Sequence, residues 1–205
     1  MSVLCAAPYQ IMCGIVGYIG SREAPEICLA GLRRLEYRGY DSAGIAVGNS
    51  EGSLSIRKAP GKLAWLADSL KKNPTNGFFG VGHTRWATHG SPNDVNAHPL
   101  TDCADDIVIV HNGIVENYLE IKAELLAAGH FFESETDSEV IAHLIESFMN
   151  PETTFEQAIR LTAQRIRGAQ AIVAMRAKEP GRLVSFRLGN AGGITVGYGQ
   201  GEMVL

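Results

Sequence analysis

The chemistry starts at Cys13, which stands directly after Met12 and before Gly14. A methionine followed by a small residue is a natural start site whose methionine is removed, and such processing leaves Cys13 with a free α-amino group. An α-amine titrates at about 7.7 to 8 and can take the proton of the neighbouring thiol without a histidine. Cys13 alone does not carry this reading, because a lone cysteine opening an apolar strand is most often an inert core residue. A second group, His111-Asn112-Gly113, closes another apolar run. The Asn112 side chain and the Gly113 N–H can both face one point beyond the sheet edge and form an oxyanion hole, where losing one donor costs roughly 2.7 to 4 kcal/mol of barrier lowering. Asn-Gly is also the commonest tight-turn dipeptide, and taken singly the turn is the stronger reading.

The segment from Gly82 to Gly90 brings Arg85, Trp86, Thr88 and His89 together between glycines. Arg85 can hold a carboxylate through its forked guanidinium, and Trp86 offers an apolar surface that can close over a ligand and exclude water. The plain alternative is a solvated loop whose arginine makes a surface pair of little worth. His83, His89, His98 and His111 also raise a metal reading, which is set aside because no helical His-x-x-x-His pair or Cys-x-x-Cys accompanies them. Asp137 stands at the start of a helix, where the dipole alone favours acidic residues. Its functional reading is recognition of an ammonium group.

The elements that must position these residues alternate along the chain. Cys13 to Ile19 reads as a buried strand, and a helix follows from about Glu23, with Ala24, Cys28, Leu32 and Leu35 on one face, up to Arg38-Gly39. Ala43 to Val47 and the Leu54, Ile56 alternation form a hairpin around the turn at Asn49 to Gly52. Pro60 to Lys72 is a short helix and Phe78 to His83 a strand, while Thr84 to Pro99 lacks either periodicity and reads as a long functional loop. Ile107 to Val110 is a strand running into His111. Helices are expected over Tyr118 to Ala128, Asp137 to Met149 and Thr154 to Ile166, the second opened by a capping box at Thr136-Asp-Ser-Glu139. Ala169 to Met175, Leu183 to Leu188 and Ile194 to Tyr198 complete the strands. Strands and helices in blocks indicate an α+β layered domain.

Composition narrows the function classes. The 205 residues suffice for one domain with its own core. With 20% charged residues, 45% hydrophobic residues and a net charge of -4, the chain has no basic excess for phosphate backbones or anionic lipid. Nucleic acid and membrane are therefore excluded as partners. Four cysteines without a Cys-x-x-Cys pair indicate free thiols in a reducing compartment, the cytoplasm. Residues 1–12 lack the basic and apolar regions of a secretory signal.

In combination the motifs become specific. Cys-Gly-Ile-Val-Gly from Cys13, Arg38-Gly-Tyr-Asp-Ser-Ala-Gly44, His83-Thr-Arg-Trp-Ala-Thr-His-Gly90, Asn96-Ala-His-Pro99, His111-Asn-Gly-Ile114 and Ser134-Glu-Thr-Asp137 occur in that order. From Cys13 to about Met203 the chain resembles the glucosamine-6-phosphate synthases, or glutamine:fructose-6-phosphate amidotransferases (isomerizing), among the class II glutamine amidotransferases of the N-terminal nucleophile hydrolase superfamily. The resemblance implies a four-layer αββα sandwich of antiparallel sheets. It implies Cys13 as nucleophile, Asn112 and Gly113 as oxyanion hole, Arg85, Thr88 and His89 as ligands of the glutamine α-carboxylate, and Asp137 as ligand of its α-amine. Trp86 falls on the loop that closes the site, and Arg38 has a supporting place near the cysteine. No metal or organic cofactor is implied. L-glutamine is the implied substrate, and the ammonia passes to a sugar-isomerising half, through which the family enzyme would form a homodimer.

Two departures from the family pattern shape the expectations. Residues 1–12 precede the cysteine, as a mistaken start or a propeptide, and block an α-amine base while they persist. Residues 13–205 form the glutaminase domain, incomplete at its C-terminal end and without the sugar-isomerising domains. Competing readings are the glutaminase of another class II enzyme (phosphoribosyl pyrophosphate amidotransferase or asparagine synthetase), a cysteine amidase or protease using a Cys13–His111 dyad, and an inactive precursor or fragment that only binds glutamine or a partner chain.

Overall fold

A computed structural model describes residues 13–38, 40–87 and 89–205, with Arg38 described by its backbone alone. Residues 1–12, Gly39, Thr88 and the Arg38 side chain lie outside the described residues. The first unit runs β1 (Gly14–Ile19), α1 (Ala24–Leu35), a 3-10 turn (Glu36–Arg38), β2 (Ser42–Gly48), β3 (Leu54–Pro60), α2 (Leu63–Lys72) and β4 (Phe79–Arg85). The second runs β5 (Leu100–Thr101), β6 (Ile107–Gly113), α3 (Tyr118–Ala127), α4 (Glu139–Phe148), α5 (Phe155–Arg165), β7 (Gln170–Arg176) and β8 (Leu183–Leu188). A terminal hairpin, β9 (Gly197–Gly199) and β10 (Glu202–Val204), follows.

Two antiparallel sheets result, in the orders β3-β2-β4-β1-β10-β9 and β5-β6-β7-β8. Strand alternation sorts the apolar residues into three layers of core. Val16, Tyr18, Ile45 and Ala43 face Cys28, Leu32 and Leu66 of α1 and α2. Ile107, Ile109 and Ile172 face Ile141, Ile145 and Phe155 of α4 and α5. Between the sheets, Phe79, Val81 and Ala46 meet Val108, Val110, Val173 and Met175. The order helix, sheet, sheet, helix is the four-layer αββα sandwich of the α+β class. Each fully buried Ile, Leu or Phe contributes about 1.5–3 kcal/mol of transfer free energy, so all three layers hold the two sheets in register.

Local signals account for most element ends, and three expectations are corrected. β4 continues through Thr84 and Arg85, because Ala43 and Ser42 of β2 extend the ladder to them; the irregular segment therefore begins at Trp86. The capping box expected at Thr136 to Glu139 does not form. The N-cap is Ser138, without a side-chain bond, while the Glu139 carboxylate accepts the N–H groups of Glu133 (2.8 Å) and Ser134 (2.7 Å). The loop folds back over the helix start, so Glu139 serves its amides instead. A capping box does form at Thr154, whose hydroxyl accepts Gln157 N–H while Gln157 Oε1 accepts Thr154 N–H. Finally, the strand expected from Ile194 starts only at Gly197, since Ile194 and Thr195 line a cavity beside Cys13. The β9–β10 hairpin is fastened to β1 by the backbone pair Gly17–Leu205 and by Arg22, whose guanidinium donates twice to Glu202.

Candidate functional site

The same alternation that builds the inter-sheet core builds the site. Ile15 and Ile19 of β1, Phe79 and Val81 of β4, and Val108 and Val110 of β6 point between the sheets. Continuing each strand by its period of two puts Cys13, His83 and Arg85, and Asn112 at the same end of that crevice. There the apolar filling stops and a cleft of about 520 Å³ opens, lined by Cys13, Arg85, Trp86, Asn112, Gly113 and Asp137, with His83, His98, His111 and Glu116.

Cys13 sits opposite the end of β4. Its Sγ accepts Trp86 N–H at 3.1 Å and stands 3.8 Å from Trp86 O, and the described residues give it no imidazole partner. Burial pushes the thiol above its ordinary pKa, the Trp86 N–H opposes this, and the Asp41 carboxylate adds to it. The resting sulfur is therefore a neutral thiol that needs a base. Gly14 next to it has no room for a side chain: a Cβ there would lie 2.8 Å from Leu35 Cδ1 and from Thr84 Oγ1. Gly14 N–H donates to that Thr84 hydroxyl at 3.1 Å, which ties the cysteine to the sheet.

Asn112 is held at both ends of its amide. Its Oδ1 pairs with His83 Nε2 at 2.8 Å and its Nδ2 donates to the Cys13 carbonyl at 3.0 Å. Burial lowers the pKa of His83 to about 4, so the ring is neutral, with its hydrogen on the Nε2 that faces an acceptor. An amide nitrogen carries two hydrogens, and the second is left for the cleft. The tight-turn reading of Asn112-Gly113 is corrected here: both residues belong to the β6–β7 ladder, opposite Ala171 and Gln170. Glycine is required at 113 because φ is +141° and a Cβ would stand 2.2 Å from Ala169 O.

The remaining walls carry charge. Arg85 is 4% exposed; its Nη2 donates to the carbonyls of His89 and Gly90, and its buried Nη1 has no partner. A buried guanidinium N–H without an acceptor is costly and is the kind of donor an anionic ligand satisfies. Asp137 accepts Val115 N–H through Oδ2 at 2.7 Å, and its Oδ1 stands 3.8 Å from His89 Nδ1. The His89 ring thus stands at Asp137, while the His89 carbonyl accepts from Arg85. Trp86 is 44% exposed at the cleft.

His111 projects to the other face of β6, where Nδ1 pairs with Ser138 Oγ (2.8 Å) and Nε2 with Gln170 Oε1. Both ring nitrogens are engaged, which argues against a Cys13–His111 dyad. Asp41 stands in the Arg38 to Gly44 motif, and its residue type alone points to no role. Its carboxylate accepts Ala87 N–H and Ser42 Oγ–H, and its backbone N–H donates to Arg85 O, so it anchors the chain on either side of Trp86. His83, which the sequence offers only in a motif and in the metal reading set aside above, positions Asn112.

The family described as "Glutamine amidotransferase domain" matches residues 83–190, just over half of the chain. A glutamine--fructose-6-phosphate aminotransferase [isomerizing] of Thermococcus kodakarensis is 52% identical over 192 residues, 94% of this chain and 31% of the relative. The protein of the same name from Escherichia coli is 47% identical over 191 residues, again 31% of its length. This chain spans about a third of the length of the curated relatives it matches. Among solved structures, a glutamine phosphoribosylpyrophosphate amidotransferase from B. subtilis superposes with a TM-score of 0.79 at 27% identity, over 93% of this chain and 40% of that one. The chain belongs to the glutamine amidotransferase domain family.

Proposed function

We propose that this chain hydrolyses the side-chain amide of glutamine to glutamate and ammonia, as the glutaminase part of an enzyme that makes glucosamine 6-phosphate from fructose 6-phosphate. The observation that carries the reading is the fixed Asn112 amide, clamped between His83 and the Cys13 carbonyl. It leaves one N–H free beside a thiol that needs activation. The free α-amine of Cys13 takes the thiol proton. The thiolate attacks the amide carbon, and the oxyanion is met by Asn112 Nδ2–H and Gly113 N–H. The C–N bond breaks as the protonated amine returns its proton to the leaving nitrogen, giving ammonia and a γ-glutamyl thioester. Water, deprotonated by the same amine, then releases glutamate and restores the thiol.

Arg85 supplies its unpaired N–H to the α-carboxylate and Asp137 accepts from the α-ammonium, with His89 held against Asp137. Thr88 joins the carboxylate ligands, Trp86 closes the site, and Arg38 supports the cysteine. The mechanism needs a chain that begins at Cys13, so residues 1–12 must be absent or removed. A sugar-isomerising half receives the ammonia and supplies the surface of a homodimer, and free thiols at Cys13, Cys28 and Cys103 suit the cytoplasm. The test is covalent trapping with a glutamine analogue carrying a diazoketone in place of the amide. One adduct on Cys13, prevented by excess glutamine, is expected; an adduct elsewhere, or none on a folded chain starting at Cys13, would overturn the proposal.

A further inference from the structure

We infer that Cys103, His130, His143 and Glu146 form a structural zinc site, separate from the cleft and independent of the glutaminase reading. The four residues come from three places. Cys103 lies in the turn between β5 and β6, His130 lies just beyond α3, and His143 and Glu146 share one face of α4 at i, i+3. Their donor atoms all lie within 4.8 Å of one another.

Four of the six donor pairs stand close to the spacings of a tetrahedral ion. With Zn–S of about 2.3 Å and Zn–N or Zn–O of about 2.0–2.2 Å, tetrahedral angles require S···N of about 3.6 Å and N···O of about 3.3 Å. Cys103 Sγ stands 3.6 Å from His130 Nδ1 and 3.4 Å from His143 Nδ1. Glu146 Oε2 stands 2.9 Å and 3.4 Å from the same two nitrogens. Each Nδ1 carries at most one hydrogen yet faces both a sulfur and a carboxylate oxygen. Hydrogen bonds meet these pairings only in part, whereas one cation at the centre meets all four. A thiolate, two imidazoles and a carboxylate in four-coordination select Zn²⁺ over the oxygen-seeking Mg²⁺ and Ca²⁺. Four protein ligands leave no open position, so the role is structural.

The surroundings support ligation. The other nitrogen of His143, Nε2, faces Glu139 Oε1 at 3.4 Å, the carboxylate behind an imidazole that usually orients a metal-bound histidine. Phe132 packs on the His143 ring at 4.4 Å. The His143 side chain is 2% exposed and that of Glu146 is 24% exposed, which gives the ion a route in. Glu139 also holds the N–H groups of Glu133 and Ser134. The ion therefore pins the loop that delivers Asp137, besides joining α3, α4 and the β5–β6 turn.

The test uses the full, untagged chain, stripped with a chelator and titrated with Co²⁺ and then Zn²⁺. One equivalent of cobalt should give the intense visible absorption of four-coordinate cobalt and a sulfur-to-cobalt charge-transfer band, both abolished by one equivalent of zinc. Cys13→Ser should retain the charge-transfer band and Cys103→Ser should lose it. Glu139→Gln, which keeps all four ligands, should weaken zinc binding about 10- to 100-fold. A weak six-coordinate cobalt spectrum of the unmutated chain, or no binding, would overturn the inference whether or not any variant folds. A charge-transfer band that survives in a folded Cys103→Ser chain would overturn it equally.

Discussion

Lowering the pH should destabilise this chain through its buried histidines. His83, His98 and His111 are 1%, 3% and 3% exposed, with ring centroids 4.3 Å apart for His83 and His98 and 6.5 Å apart for His98 and His111. Burial holds all three below the ordinary histidine value: His83 at about 4, His98 well below 6.5, and His111 lowered with Asp137 opposing. Both nitrogens of His98 lack partners, so no hydrogen bond relieves its charged form. Between about 4 and 6.5 the unfolded chain binds protons that the folded chain refuses, so stability falls as pH falls. For His83 the cost is absent above 6.5 and complete below about 4. For His83 alone it amounts to ~3 kcal/mol, a large share of the roughly 5–15 kcal/mol that holds a domain folded. Urea unfolding across this range, with chelator present so that metal loss adds nothing, measures the slope. The expected slope exceeds one proton per chain, and His83→Gln should reduce it. A stability that stays flat from above 6.5 down to about 5, or an unchanged slope in His83→Gln, would refute the reasoning.

Three further outcomes follow from named contacts. Asn112→Ala removes the free amide N–H and should lower kcat for glutamine hydrolysis by about 10²–10³-fold with little change in KM, read from steady-state rates. Asp137→Asn keeps an acceptor for Val115 N–H but loses the charge, and should raise KM roughly 10- to 100-fold, checked by glutamine titration. Gly14→Ala forces a methyl against Leu35 and the Thr84 hydroxyl, both at 2.8 Å, and should cost about 1–3 kcal/mol, measured by denaturant unfolding.

Much of the fold was readable because its signals are local. The i, i+4 stripe of Ala24, Cys28 and Leu32 and the alternation in Ile107 to Val110 specify element type without reference to neighbours. What escaped depends on contacts distant in sequence. Thr84 and Arg85 are strand because β2 pairs with them, and Asn112-Gly113 is ladder because β7 does, against the turn preference of the dipeptide. Glu139 leaves the expected capping box because its carboxylate is taken by the Glu133 and Ser134 N–H groups of the loop. For the site, motif order named Cys13, Arg85, Asn112 and Asp137; strand parity explains how the first three meet, and Asp137 comes from the segment before α4. Asp41 and His83 act by holding others, which residue type alone does not reveal. The donors of the inferred zinc site come from three separate places in the chain, and His143-x-x-Glu146 on one helix face is the only local signal they leave among the described residues.

The central claim is that Cys13, freed at its amine, hydrolyses glutamine. The most direct measurement compares glutamate and ammonia release by a chain beginning at Cys13, the same chain with Cys13→Ala, and the chain retaining residues 1–12. The account predicts equal amounts of glutamate and ammonia from the first alone, at a rate that rises with pH as the amine loses its proton near 7.7 to 8. Equal activity in the chain that keeps residues 1–12, or hydrolysis that survives Cys13→Ala, would contradict it.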